Sequence, residues 1–266
     1  MDSRGTEGTA REPATQDVRA RLAVALDVAD LDAALEMARL VAPWFGVAKI
    51  GLELWAAAGP RSVEPIRGLG LEVFCDLKLH DIPTTVGRAS RVIGGLGVAY
   101  VTLHASGGTA MLRAGVEGLA AGASAAGLQA PCALGVTVLT SEPDASHFDE
   151  RLDTAVASGC GGVVCSVREL DRVRSGNHDL VTVVPGIRPA GAGADDQARV
   201  GTPGEVARAG GDVLVVGRPR HRCRGPGRCR EEDPRRGRRR AGRRLAERRG
   251  GAQAAAGLPL GDRCVC

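Results

Sequence analysis

The chain has 266 residues, of which 44% are hydrophobic, 25% charged and 2% aromatic, with a formal net charge of +4. That composition is enough to bury a full α/β core and excludes a disordered, collagenous or coiled-coil chain. No apolar run approaches the roughly 20 residues of a membrane span, and residues 1–20 lack a hydrophobic signal core, so a soluble cytoplasmic protein with no membrane partner is expected.

Residues 1–20 read as a flexible polar leader. Strand-like apolar runs then alternate with helix-like stretches in regular order. The run at 22–26 precedes a helical pattern at 31–41, 47–50 precedes 61–69, and 71–77 precedes 85–96. The run at 98–103 precedes 109–121, and 132–138 precedes 151–157. Runs at 162–165 and 180–184 follow, then a helical pattern at 203–208 and a last run at 213–216. Eight short, fully apolar runs predict a parallel sheet covered by helices. Eight such units in about 200 residues fit a (β/α)8 TIM barrel better than an open doubly wound sheet. No Gly-x-Gly-x-x-Gly follows the first run, which argues against a dinucleotide site.

Charge is divided unevenly along the chain. Residues 1–217 carry 19 basic and 26 acidic side chains (net −7), and residues 218–266 carry 16 and 5 (net +11), which together give +4. Only Lys49 and Lys78 are lysines among the 35 basic residues. A lysine kept where arginine has replaced nearly all others points to chemistry that needs a compact ammonium able to give up a proton. The eight cysteines include no C-x-x-C pair, and those before residue 218 lie in apolar runs. Buried reduced thiols are expected there rather than a zinc site.

In a barrel, reacting groups gather at the C-terminal ends of the strands. Here those ends are polar. Asp27 closes the first run, Lys49 lies in the second, and Asp76, Lys78, His80 and Asp81 close the third. His104, Thr140, Arg188, Gly217 and Arg218 close or follow later runs. Asp76 and Lys78 are two apart on a strand and therefore share a face. With Lys49 from the neighbouring strand they would place ammonium and carboxylate groups side by side, each favouring the other's charged form. A plain salt-bridge network at the barrel end is the alternative.

The stretch Asp76-Leu77-Lys78-Leu79-His80-Asp81-Ile82-Pro83-Thr84-Thr85 is preceded by Ala25-Leu26-Asp27 and Lys49-Ile50-Gly51. It is followed by His104-Ala105-Ser106-Gly107-Gly108, Val136-Thr137-Val138-Leu139-Thr140-Ser141 and Pro185-Gly186-Ile187-Arg188-Pro189. Together these resemble the orotidine 5′-phosphate decarboxylase family, across residues 22 to 219. The resemblance implies conversion of orotidylate to UMP and CO2 in pyrimidine biosynthesis, with no metal or organic cofactor. Lys78 would stabilise the C6 carbanion and protonate it, with Asp76, Lys49 and Asp81 completing a charge array. Asp27, Lys49, Asp76, Thr85 and Thr140 would bind ribose or base, and Arg188, Gln197, Gly217 and Arg218 the 5′-phosphate. A homodimer follows, with Asp81 reaching the neighbouring site. His80 and His104 are expected to pack rather than transfer protons, and Thr84 stands where the family usually has asparagine. Magnesium-dependent sugar-phosphate barrels share the D-x-K-x-x-D motif and form the runner-up reading.

The resemblance stops after Pro219. Fifteen arginines fall within residues 218–250, with almost no apolar periodicity, so this stretch cannot supply the amphipathic helix that should close the barrel. The expected layout is a leader at 1–20, a decarboxylase barrel at 21–219 lacking its last helix, and an arginine-rich, disordered tail at 220–266. One explanation is a polyanion-binding arm. The other is a frameshift: codons for residues 221–230 can be chosen that, read one base later, give Thr-Asp-Ala-Ala-Asp-Pro-Val-Ala-Ala. The frameshift is favoured, and nucleic acid is not an expected partner.

Overall fold

The computed structural model describes residues 18–142, 144–176, 179–187 and 201–217, all within the unit Met1–Pro219. Eight parallel strands close into a barrel in chain order: β1 Leu22–Ala25, β2 Val47–Ile50, β3 Glu72–Leu79, β4 Tyr100–His104, β5 Cys132–Val136, β6 Gly162–Val164, β7 Val181–Ile187 and β8 Val213–Val216. The seam closes where Leu22, Ala23 and Val24 of β1 register with Leu214, Val215 and Val216 of β8. Helices lie between the strands: α1 Leu31–Val41, α2 Leu52–Ala58, α3 Val63–Arg67, α4 Pro83–Gly94, α5 Gly108–Ala125, α6 Phe148–Ala157, α7 Leu170–Ser175 and α8 Pro203–Arg208. The expected (β/α)8 fold is therefore present. Any helix after β8, and the tail, lie outside the described residues. No described helix is long and apolar enough to cross a membrane.

Local chemistry sets these boundaries. Asp30 caps α1 by accepting a hydrogen bond from the Ala33 N–H at 2.8 Å, and Pro83 starts α4 with φ already helical. Two helices, α2 and α7, were not among the helical patterns read from the sequence. The signal for the second was there: Ser166 and Glu169 form a capping box around the 3-10 turn that leads into α7. Residues 18–20, expected in the leader, instead form a 3-10 turn with Arg21. Arg21 donates to the Gly211 carbonyl at 2.6 Å, which ties the start of β1 to the approach of β8.

Strand alternation divides the core in two. Ala23, Ala25, Val47, Phe74, Leu134, Val183, Val213 and Val215 fill the barrel interior, while Val24, Ile50, Leu103, Leu112, Phe148 and their neighbours pack between sheet and helices. Helices α4 and α5 approach unusually closely. A Cβ on Gly122 would stand 1.9 Å from the Arg91 carbonyl oxygen, so only glycine permits that contact. Among the described cysteines, Cys75, Cys132 and Cys160 are free thiols. Burial pushes the Cys75 and Cys160 thiols up to about 12 and Cys132 to about 11, leaving them protonated and unreactive at neutral pH.

Candidate active site

At the C-terminal ends of the strands a cavity of about 260 Å³ opens into the barrel. Asp27, Lys49, Asp76 and Lys78 line one side. Val136, Val138, Leu139, Val164, Val183, Pro185 and Val215 line the other, with Thr140, Gly186 and Gly217 at the rim. Neighbouring strands thus supply the charged wall, and later strands supply an apolar one.

The charges alternate along the first wall. Lys49 Nζ lies 3.3 Å from Asp27 Oδ1 and 3.5 Å from Asp76 Oδ2, and Lys78 Nζ lies 2.8 Å from Asp76 Oδ1. Lys49 and Asp76 are the more deeply buried pair, with side chains 12% and 16% exposed. Burial alone would raise the Asp76 carboxyl. The Lys49 and Lys78 ammonium groups, with hydrogen bonds from Lys78 and Thr102, outweigh it and hold Asp76 below the usual carboxylate range. Gly51 allows this crowding: a Cβ there would lie 3.1 Å from Asp27 Oδ1 and 3.2 Å from Lys49 Nζ.

Strand β3 is distorted where it carries these groups. Cys75 pairs with Val101 and Leu79 with Leu103, so four steps along β3 span two along β4. Within this bulge Lys78 has φ 49°, a left-handed conformation rare for a non-glycine residue. Such strain persists only where surrounding contacts hold it. Here Thr102 of β4 supplies them: its Oγ1 accepts the Lys78 backbone N–H at 2.8 Å and donates to Asp76 Oδ1 at 3.1 Å. Sequence reading passed over Thr102. Its signal was a hydroxyl inside an apolar run, on the same strand face as Tyr100 and His104.

The other expected site residues divide into three groups. Thr140 and Gly217 line the cavity. Asp81 and Thr85 are exposed, beside and within the first turn of α4, and do not line it. The Asp81 carboxylate accepts the Ile82 N–H at 2.6 Å, just ahead of α4. Arg188, Gln197 and Arg218 lie outside the described residues. His80 and His104 stack with ring centroids 5.4 Å apart. Burial, and after it the neighbouring His80, hold His104 below its ordinary value, and its Nδ1 lies 2.7 Å from Ser106 Oγ. Both histidines therefore have packing partners.

Fold and site together define a (β/α)8 barrel of the enzyme type, with a wall of alternating charges at the C-terminal ends of its strands. Residues 20–220 match the orotidine 5′-phosphate decarboxylase / HUMPS family. The orotidine 5′-phosphate decarboxylase of Anaeromyxobacter dehalogenans is 47% identical over 213 residues, covering 75% of this chain and 90% of that protein. That of Lactiplantibacillus plantarum is 48% identical over 185 residues, covering 64% and 78%. The crystal structure of orotidine 5′-phosphate decarboxylase from Lactobacillus acidophilus superposes with a TM-score of 0.61 at 31% identity, over 75% of this chain and 91% of that one. The chain belongs to the orotidine 5′-phosphate decarboxylase / HUMPS family.

Proposed function

We propose that this chain decarboxylates orotidine 5′-phosphate to UMP and CO2 in pyrimidine biosynthesis, as a cytoplasmic homodimer. The observation that carries the reading is the Asp27–Lys49–Asp76–Lys78 array facing an apolar wall. Cleavage of the C6–carboxylate bond leaves an electron pair at C6 that the pyrimidine ring cannot delocalise. An ammonium already fixed beside that carbon stabilises the developing charge without reorganising, and does so most strongly where apolar walls exclude water. Lys78 is assigned that position. It passes one Nζ proton to C6 as CO2 departs, leaving a neutral amine that solvent reprotonates. Asp76 holds Lys78 in place and sets a negative charge near the leaving carboxylate, while Lys49 and Asp27 keep Asp76 ionised and positioned.

The nonreacting part of the nucleotide has partners at the opposite rim. Thr140 and the Gly217 backbone are assigned to base or ribose and to phosphate, and Arg188, Gln197 and Arg218 are proposed to complete the phosphate site. Both Asp76 oxygens already face ammonium groups, so the wall is charge-balanced by its own side chains. This favours the cofactor-free reaction over magnesium-dependent sugar-phosphate chemistry. The deciding assay incubates purified protein with orotidylate and a metal chelator. UMP and CO2 are expected; a folded sample that forms neither, or metal-restored turnover of a sugar phosphate, overturns the proposal.

Asp81 and Thr85 are exposed at the start of α4, away from their own cavity, and are assigned to the site of the neighbouring subunit. In a two-fold dimer, mixing an inactive Asp81→Ala variant with an inactive Lys78→Ala variant makes about half of the dimers hybrids. Each hybrid has one intact site, so activity should return to about a quarter of the sites. If subunits exchange without any recovery, the shared site is wrong. The domain layout belongs to the same proposal: residues 21–219 form the decarboxylase barrel, and residues 220–266 are a frame-shifted replacement of its last helix. The family match ending at residue 220 and the switch to arginine support that layout.

A further inference from the structure

We infer that Thr102 is a positioning residue for the decarboxylation: its hydroxyl holds the strained Lys78 backbone and the Asp76 carboxylate in one fixed geometry. The inference rests on the proposed function for its kinetic readout, but its structural basis is independent of it. Thr102 is fully buried in an otherwise apolar stretch of β4. A buried hydroxyl must find partners, and these partners are the two groups of β3 on which the charge array depends.

The bulge explains why a side chain is needed there. Ladder pairing between β3 and β4 is interrupted from Cys75 to Leu79, so the Lys78 N–H has no place in the regular ladder. Thr102 Oγ1 accepts that N–H at 2.8 Å and uses its own proton on Asp76 Oδ1 at 3.1 Å, the same oxygen that receives Lys78 Nζ at 2.8 Å. One hydroxyl therefore fixes both ends of the Asp76–Lys78 pair, backbone at one end and carboxylate at the other. Without it, a backbone N–H is left buried and unpaired and nothing in β4 holds φ 49° at Lys78. Valine has nearly the shape of threonine, so the hydroxyl can be removed while the methyl packing stays.

Asp76 faces Lys49 from β2, Lys78 on its own strand and Thr102 from β4; Asp27 of β1 acts on it only through Lys49, and Cys75 beside it stays protonated. Loss of the Thr102 bond therefore raises the Asp76 carboxyl toward its ordinary value while both ammonium groups remain. The test compares full-length Thr102→Val and Thr102→Ser with the unaltered chain. For Thr102→Val, kcat on orotidylate should fall about 10- to 100-fold, the scale of one hydrogen bond to a charged group, with KM within about twofold. The Asp76 carboxyl, followed by carbon-13 NMR, should titrate at higher pH, and the acid limb of kcat should move up with it. Thr102→Ser should restore most of kcat and the original titration. Unchanged kcat and titration in Thr102→Val, or equal impairment of the serine variant, overturns the inference. If the unaltered chain does not turn over orotidylate, the functional proposal fails, and the Asp76 titration in the two variants alone decides the role of Thr102.

Discussion

Lys78→Ala should leave a folded barrel that binds UMP normally while decarboxylation falls about 10⁴-fold or more. The size follows from two roles removed at once. A preorganised charge-stabilising donor is worth about 10²- to 10³-fold, and a positioned proton donor about 10²- to 10⁴-fold. Stability should change little. The Lys78 side chain is 32% exposed, and its removal leaves Asp76 compensated by Lys49 at 3.5 Å and by Thr102. Lys78→Arg should fail almost as badly, because a guanidinium is larger, sits further from C6 and does not release its proton. Single-turnover kinetics with orotidylate, together with UMP binding and a melting curve, separate lost chemistry from lost folding. Turnover within tenfold of the unaltered chain would remove Lys78 from its assigned role.

A version of the chain in which the segment from residue 220 onward is read one base later should melt about 10 °C higher. The reason lies on α1. Ala34 and Ala38 face the core, and Ala33, Met37 and Leu40 form a neighbouring apolar flank at helical spacing, with Trp44 in the turn that follows α1. Leu40 is 72% exposed and Trp44 64%. In a right-handed helix running down the outside of a barrel with right-handed crossovers, that flank turns toward β8 and away from α2. The helix following β8 would lie on that side. Covering a leucine and a tryptophan contributes about 1.5–3 kcal/mol each. At about 2–4 °C per kcal/mol for a domain of this size, the sum is on the order of 10 °C. Trp44 and Trp55 are the chain's two tryptophans, so covering Trp44 should also shift the emission to shorter wavelength. An unchanged melting temperature with unshifted emission would reject the frameshift, and the arginine-rich segment would then need a function of its own. Salt-sensitive binding to a polyanion, lost on removing residues 220–266, would identify that function.

Sequence alone determined the barrel, because short apolar runs buried on both faces tolerate few polar residues and so mark themselves. It also determined the pairing of Asp76 with Lys78, since strand alternation puts residues two apart on one face even through the bulge. The two lysines were legible because they stand out in a chain that otherwise uses arginine, and both lie in the charged wall of the cavity. Helices α2 and α7 were not read, although α3 and α8, no longer than they are, were.

Only the closed sheet decided which residues meet across strands. Alternation tells which face of β4 carries Thr102 but not that the bulge in β3 slides the Lys78 N–H and Asp76 Oδ1 onto its hydroxyl. The same limit applies to Asp81 and Thr85, which stand next to Lys78 in sequence yet leave the cavity because α4 begins between them. Proximity along the chain fixes a residue's face and strand position. Its distance to a partner depends on strand register, twist and the point where the chain turns out of the sheet, and those are set by packing the whole barrel.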